Sequence, residues 1–238
     1  MLRSRTRVPS AAPRRSARAP RATVRAVRRR ATPAAAVPWR PLARFAVAML
    51  RQDEAAARRE LQRARQQRAG RVAAEETALM LVPHAGYPAA LEALRVLQAA
   101  WPGRARRSRE GTPAAWRKRG AATCAAVYGR VYPRLLANLD ALHPDMCAWV
   151  VEEGYGRMLS RPGLTPLARE LVAVAVLAAA GWERQLVSHL RGARHAGAAR
   201  DELMRALDCG TEGAPATAVR AAARAWSVAF DAAARRDV

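Results

Sequence analysis

The stretch from residue 164 to residue 197, LTPLARELVAVAVLAAAGWERQLVSHLRGARHAG, limits the possible folds more than any other part of the chain. Thr165 followed by Pro166 signals a helix start, because threonine caps the first turn and proline lacks an N–H that this turn leaves unused. The residues that follow are apolar on nearly every side, which is typical of a helix buried in a core. Gly181 is expected to end this helix, and a second helix is predicted from Glu183 to Ala196. The stretch therefore predicts a buried helical hairpin within an all-α fold.

Two polar side chains, Glu170 and His189, stand out in this apolar hairpin. Glu170 lies eleven residues before Gly181 and His189 eight residues after it. At about 1.5 Å of rise per residue, their heights differ by only roughly 4 to 5 Å, so the carboxylate and the imidazole can meet. Such a pair suits acid/base chemistry. It equally suits a structural role, with Glu170 favoured by the helix dipole and His189 satisfied within the core.

The hairpin also carries a family resemblance. The run RELVAVAVLAAAGWERQLVSHLRGARHAGAARDEL resembles the core of the carboxymuconolactone decarboxylase family, which includes the alkylhydroperoxidase D branch, and the preceding YGRMLSRPGLTPLARE is similar to the decarboxylase side. In the peroxidase branch a glutamate is followed by a Cys-x-x-Cys-x-x-x-His pattern. Glu170 and His189 match the glutamate and the histidine, whereas Trp182 and Gln185 occupy the two cysteine positions. Without the thiol pair, the disulfide-based peroxide chemistry of that branch lacks its nucleophile.

The resemblance implies a cofactor-free carboxy-lyase that acts on a small lactone or carboxylic acid, with His189 as general acid/base and Glu170 orienting it. It also implies a homo-oligomer and no metal. Trp182 and Gln185 share a helix face with His189 and are candidate substrate-binding residues. The other candidates are two arginines suited to a substrate carboxylate and a histidine near a Gly-x-Pro: Arg169, Arg191 and His84.

The chain is predicted to divide into four parts. Residues 1–40 form a disordered arm rich in Arg, Ala and Pro, 41–103 a degenerate first half, 104–120 a basic linker, and 121–238 the domain with the candidate site. The halves are expected to be an internal duplication, because residues 86 and 213 begin similar Gly-x-Pro-Ala segments 127 positions apart. In the first half Phe45 replaces the glutamate and Gln62 the histidine.

Composition leaves two other functions open. The net charge of +23 includes twelve arginines and no acid within residues 1–40. This composition is compatible with a transit peptide, with binding of nucleic acid or an anionic surface, and with translation from an upstream start codon. A non-catalytic scaffold with a nucleic-acid-binding arm is therefore one alternative, and an alkylhydroperoxidase-like antioxidant is the other.

No segment approaches the roughly 18 to 20 apolar residues that span a bilayer, so a cytoplasmic protein is expected. The three cysteines are widely spaced and predict free, buried thiols rather than disulfides or a zinc site.

Overall fold

The structure, a computed structural model, describes residues 37–105 and 111–231, and confirms the predicted all-α class, because these residues form helices and no β-strand. In chain order the helices are α1 (Trp39–Leu50), α2 (Glu54–Gln66), α3 (Arg71–Ala100), α4 (Pro113–Tyr128), α5 (Tyr132–Leu142), α6 (Pro144–Trp149), α7 (Pro166–Ala180), α8 (Glu183–His195), α9 (Arg200–Thr211) and α10 (Ala216–Phe230). A 3-10 turn (Gly129–Val131) precedes α5, and a π-helical segment (Val150–Leu159) continues α6. Within the described ranges no helix is both long and apolar enough to cross a membrane.

The predicted hairpin is α7 followed by α8. The Thr165 hydroxyl accepts a hydrogen bond of 3.1 Å from the backbone N–H of Ala168, which is the expected cap. Gly181 ends α7 in the left-handed conformation with φ 73°, where a side chain would be strained. The second helix ends at His195, one residue before the predicted end. The start and turn signals in the sequence therefore place both helices correctly.

Helix α7 is the centre of the packing. All of its residues from 168 to 178 are buried, including Arg169 and Glu170. One face of α7 joins a core formed with α1, α2 and α3, and the opposite face joins a second core with α8, α9 and α10. A helix that is apolar nearly all round is thus buried between two layers, as its sequence predicts.

The predicted boundary between the arm and the first half differs from the structure. Most of the predicted arm, residues 1–36, lies outside the described residues, and α1 already begins at Trp39, within the range assigned to the arm. Within the first half, α3 is kinked at Gly86, whose φ is 85°. A positive φ is reached easily by glycine, so the chain bends there rather than at either neighbouring proline.

The predicted linker, residues 104–120, is helical in its second part. Thr112 accepts a hydrogen bond from the Ala115 N–H and Pro113 occupies the first turn, so α4 begins inside the range assigned to the linker. Helix α4 packs closely on the π-helical segment, because Gly120 of α4 and Gly156 of that segment have no side chain to separate the two backbones. A Cβ at either glycine would collide with a carbonyl group across the contact.

The two halves contain helices in the same succession. Helices α1 and α2 precede a kinked helix, as α7 and α8 precede α9 and α10, and Gly86 and Gly213 both adopt positive φ. Phe45 is fully buried in α1, whereas Gln62 is exposed on α2. This order agrees with an internal duplication, which itself stays a prediction.

Candidate active site

The candidate site is centred on a hydrogen bond between the two polar residues of the hairpin. His189 Nδ1 lies 2.9 Å from Glu170 Oε2, and the two residues are only 8% and 5% exposed. An imidazole N–H donates to a carboxylate, so this bond holds Nδ1 as the protonated nitrogen and leaves Nε2 for proton exchange. The contact that the spacing predicts is therefore confirmed, while its catalytic role stays a prediction.

Gly192 is the residue that makes room for the Glu170 carboxylate. A Cβ at Gly192 would lie 2.6 Å from Glu170 Oε2 and 2.7 Å from Val127 Cγ1 of α4. Both distances are too short for non-bonded atoms, so a side chain here would displace the carboxylate or the neighbouring helix. The absence of a side chain at Gly192 thus lets α4 and Glu170 contact the same position of α8.

His84 of the N-terminal half reaches the pair from α3. Its ring centre lies 5.3 Å from that of His189, with the two planes inclined by 59°. His84 Nδ1–H donates a hydrogen bond of 2.7 Å to the Met80 carbonyl. Burial, and then the charge of His189, lower the pKa of His84 from 6.5 to about 4, against the opposing effect of the Met80 bond. His84 is therefore a neutral imidazole near pH 7.

A cavity of about 530 Å³ adjoins this group. His84, Trp182 and Gln185 all line it, together with apolar residues that include Leu50 and Leu177. Trp182 is 58% exposed, so one wall of the cavity borders on solvent. The structure thus brings three of the five predicted substrate-binding residues to one cavity, which reaches His189 only through its neighbour His84.

Neither predicted arginine lines this cavity. Arg169 is buried, and its guanidinium lies 2.9 Å from Glu76 of α3 and donates to the carbonyl of Arg161 at 2.6 Å. Burial lowers the pKa of Arg169, although Glu76 opposes this effect. Arg191 donates to the Val228 carbonyl and lines a different cavity. Arg169 therefore has a structural partner. Neither arginine is placed to bind a substrate carboxylate in the cavity at His84.

Two tyrosines close to Glu170 were not identified as site residues from the sequence. The hydroxyl groups of Tyr128 and Tyr155 lie 2.8 Å apart. Burial chiefly raises the pKa of Tyr128 to about 12 and that of Tyr155 well above 10, and the Glu170 carboxylate raises both further. Both tyrosines are consequently neutral. Their 27-residue separation gave no local signal, although Tyr155 does begin the YGRMLS run.

Burial makes two of the three thiols poor nucleophiles. Cys124 and Cys209 are free and buried, as predicted, whereas Cys147 is partly exposed. Burial raises the pKa of the Cys124 thiol to about 12 and also raises that of Cys209, so neither is a thiolate at neutral pH. Among the described residues no three His, Cys, Asp or Glu side chains come together in a way that would hold a metal ion.

The fold and this pair of residues define an all-α protein with a buried carboxylate–imidazole pair. The sequence profile of the Carboxymuconolactone decarboxylase family matches residues 144–229, a range that contains both Glu170 and His189. The match confirms, over this part of the chain, the resemblance inferred from the sequence.

Two curated proteins are similar to the chain over part of their length. The 4-carboxymuconolactone decarboxylase of Acinetobacter baylyi is 40% identical over 70 residues, which are 29% of this chain and 52% of that protein. Peroxisomal protein 2 of Schizosaccharomyces pombe is 30% identical over 96 residues, which are 40% of this chain and 45% of that protein. The chain thus spans about half the length of the curated relatives it matches.

Proposed function

We propose that this protein is a cofactor-free decarboxylase-type enzyme that acts on a small lactone or carboxylic acid related to 4-carboxymuconolactone. The observation that carries the proposal is the buried 2.9 Å hydrogen bond between His189 and Glu170, with His189 in contact with His84, which lines a cavity of about 530 Å³. Similarity to a protein named as a 4-carboxymuconolactone decarboxylase supports the choice of substrate class.

The reaction requires one proton for each carbon dioxide released. When the bond between the ring carbon and its carboxylate breaks, the electron pair stays on the lactone, where the conjugated carbonyl spreads the charge. A proton must then be added to carbon to give the neutral product. In the proposal, protonated His189 delivers this proton from Nε2, and the Glu170 carboxylate stabilises the imidazolium before the transfer.

His84 is proposed to bind substrate rather than to exchange protons with it. Because its pKa is about 4, His84 stays neutral near pH 7 and adds no positive charge next to His189. Its Nδ1–H is already donated to the Met80 carbonyl, so Nε2 is left as a hydrogen-bond acceptor. Gln185 adds an amide to the same cavity.

The proposal is preferred to a thiol-dependent peroxidase for two reasons. Trp182 and Gln185 stand where the peroxidase branch carries its cysteines. Burial also holds the pKa of Cys124 near 12 and raises that of Cys209, which makes both thiols poor nucleophiles. An alkylating reagent is therefore expected to leave activity unchanged.

A homo-oligomer is proposed as the working form. Helix α5 has no buried residue, although its sequence YPRLLANLDAL is largely apolar. Leu142 at its end is 79% exposed and Trp149 in α6 is 59% exposed. Large exposed apolar side chains on adjacent helices favour contact with another protein surface. Sedimentation velocity tests this: a Leu142→Asp, Trp149→Asp variant is expected to sediment as a smaller species, and equal sedimentation of both proteins would contradict it.

Turnover of 4-carboxymuconolactone by the purified full chain tests the proposed function. The His189→Ala variant is expected to lose about 10²- to 10⁴-fold in kcat, the usual contribution of a general acid or base. His143→Asn is the matched control, because His143 is exposed and caps α6 in a way that asparagine also permits. Equal loss in both variants, or none in either, would contradict the assignment of His189.

A further inference from the structure

A second cavity, of about 590 Å³, lies on the side of α8 that carries Ser188 and Arg191. It is formed by the end of α4, the 3-10 turn at 129–131, α8 and the end of α10. None of the residues that line the cavity at His84 also lines this one. The volume falls within the range of about 300 to 1,000 Å³ that small-molecule sites occupy. This second cavity is thus a separate candidate binding site.

The polar lining of the second cavity is basic. Arg130, Arg191, Arg194 and His195 line it, and none of the described residues that line it is Asp or Glu. Backbone carbonyl groups position three of these side chains: Arg194 donates to Ala198 at 2.6 Å, Arg191 to Val228 at 2.8 Å and His195 to Val127 at 2.7 Å. The Ala198 carbonyl orients the Arg194 guanidinium without neutralising it, so Arg194 and Arg130 bring positive charge to the lining.

The remaining walls are apolar. Val127 and Val131 contribute one side, and Ala229 and Phe230 the other. The Phe230 ring packs edge-on against Trp226, with ring centres 4.7 Å apart, which fixes this wall. A ligand that satisfies both kinds of lining has a flat or branched apolar body and a negatively charged group.

We propose that the second cavity binds a small organic carboxylate with an aromatic-sized apolar body, at a site separate from the cavity beside His84. Arg130 and Arg194 bind the carboxylate through charge-assisted hydrogen bonds, while Phe230 and the valines contact the apolar body. Such binding does not depend on the proposed function, because it uses none of the residues assigned to that reaction.

Isothermal titration of the full chain with naphthalene-2-carboxylate tests the proposal. Saturable binding of one molecule per chain is expected, with naphthalene-2-carboxamide, the neutral analogue, at least about tenfold weaker. Arg130→Gln and Arg194→Gln are each expected to weaken carboxylate binding about tenfold. Arg130 is exposed, so its replacement leaves the packing of the fold in place and keeps the test valid if Arg194→Gln is unstable.

Two control variants distinguish binding in this cavity from binding elsewhere on the chain. Arg220→Gln removes one positive charge from an exposed position of α10 that does not line the cavity, and its affinity is expected to be unchanged. His84→Ala alters the other cavity, and its affinity is also expected to be unchanged. The proposal is overturned if no binding occurs, if the neutral analogue binds equally, or if the affinity falls with His84→Ala but not with Arg130→Gln.

Discussion

Acidification from pH 7.5 to 5.5 is expected to destabilise the fold through His84. The folded protein holds the pKa of His84 at about 4, whereas the unfolded chain has the ordinary value of 6.5. Between these values the unfolded chain binds a proton that the folded protein does not, so the free energy of unfolding falls as the pH falls. The loss from this residue is about 1 kcal/mol at pH 5.5 and levels off below about pH 4.

Urea denaturation of the wild type and of His84→Gln at the two pH values measures this contribution. Glutamine keeps a polar side chain but does not titrate, so the variant is expected to lose about 1 kcal/mol less than the wild type over this interval. Other titrating groups affect both proteins and cancel in the difference. Equal losses of stability in the two proteins, or a pKa near 6.5 in an NMR titration of the His84 ring, would refute this effect of His84.

Two further substitutions test the packing around the site. Gly192→Ala is expected to cost about 1 to 3 kcal/mol and to lower turnover, since the new Cβ displaces the Glu170 carboxylate. Gly154→Ala is the control, because a Cβ at Gly154 meets open space, and its free energy of unfolding is expected to stay within about 0.5 kcal/mol of the wild type. Similar losses of stability in both variants would contradict the steric argument. Glu76→Gln is expected to cost about 3 to 5 kcal/mol by urea denaturation, because it leaves the buried Arg169 without a carboxylate, and a loss below 1 kcal/mol would contradict that pairing.

The hairpin was predictable because its signals are local. Thr165, Pro166 and Gly181 each act on the turn in which they stand, and the separation of Glu170 from His189 is fixed by helix geometry once the turn is placed. The start of α4 carried a signal of the same kind in Thr112 and Pro113, which the basic composition of residues 104–120 obscured.

The rest of the site depends on contacts between distant parts of the chain. His84 reaches His189 from 105 positions away, and the bond between Arg169 and Glu76 spans 93 positions. Neither hydrophobic periodicity nor a helix cap in the sequence predicts such contacts, because they depend on how α3 packs on α7. The sequence therefore predicts Arg169 as a substrate ligand, whereas the packing gives it a buried carboxylate partner.

Release of carbon dioxide from 4-carboxymuconolactone in heavy water tests the central claim most directly. The wild type is expected to release carbon dioxide and to place one deuterium on carbon in each product molecule, since the proton comes from an exchangeable imidazole. His189→Ala is expected to slow both processes together by about 10²- to 10⁴-fold while its circular dichroism stays unchanged. Equal carbon dioxide release by the wild type and by a folded His189→Ala variant would contradict the role of His189 as the proton donor.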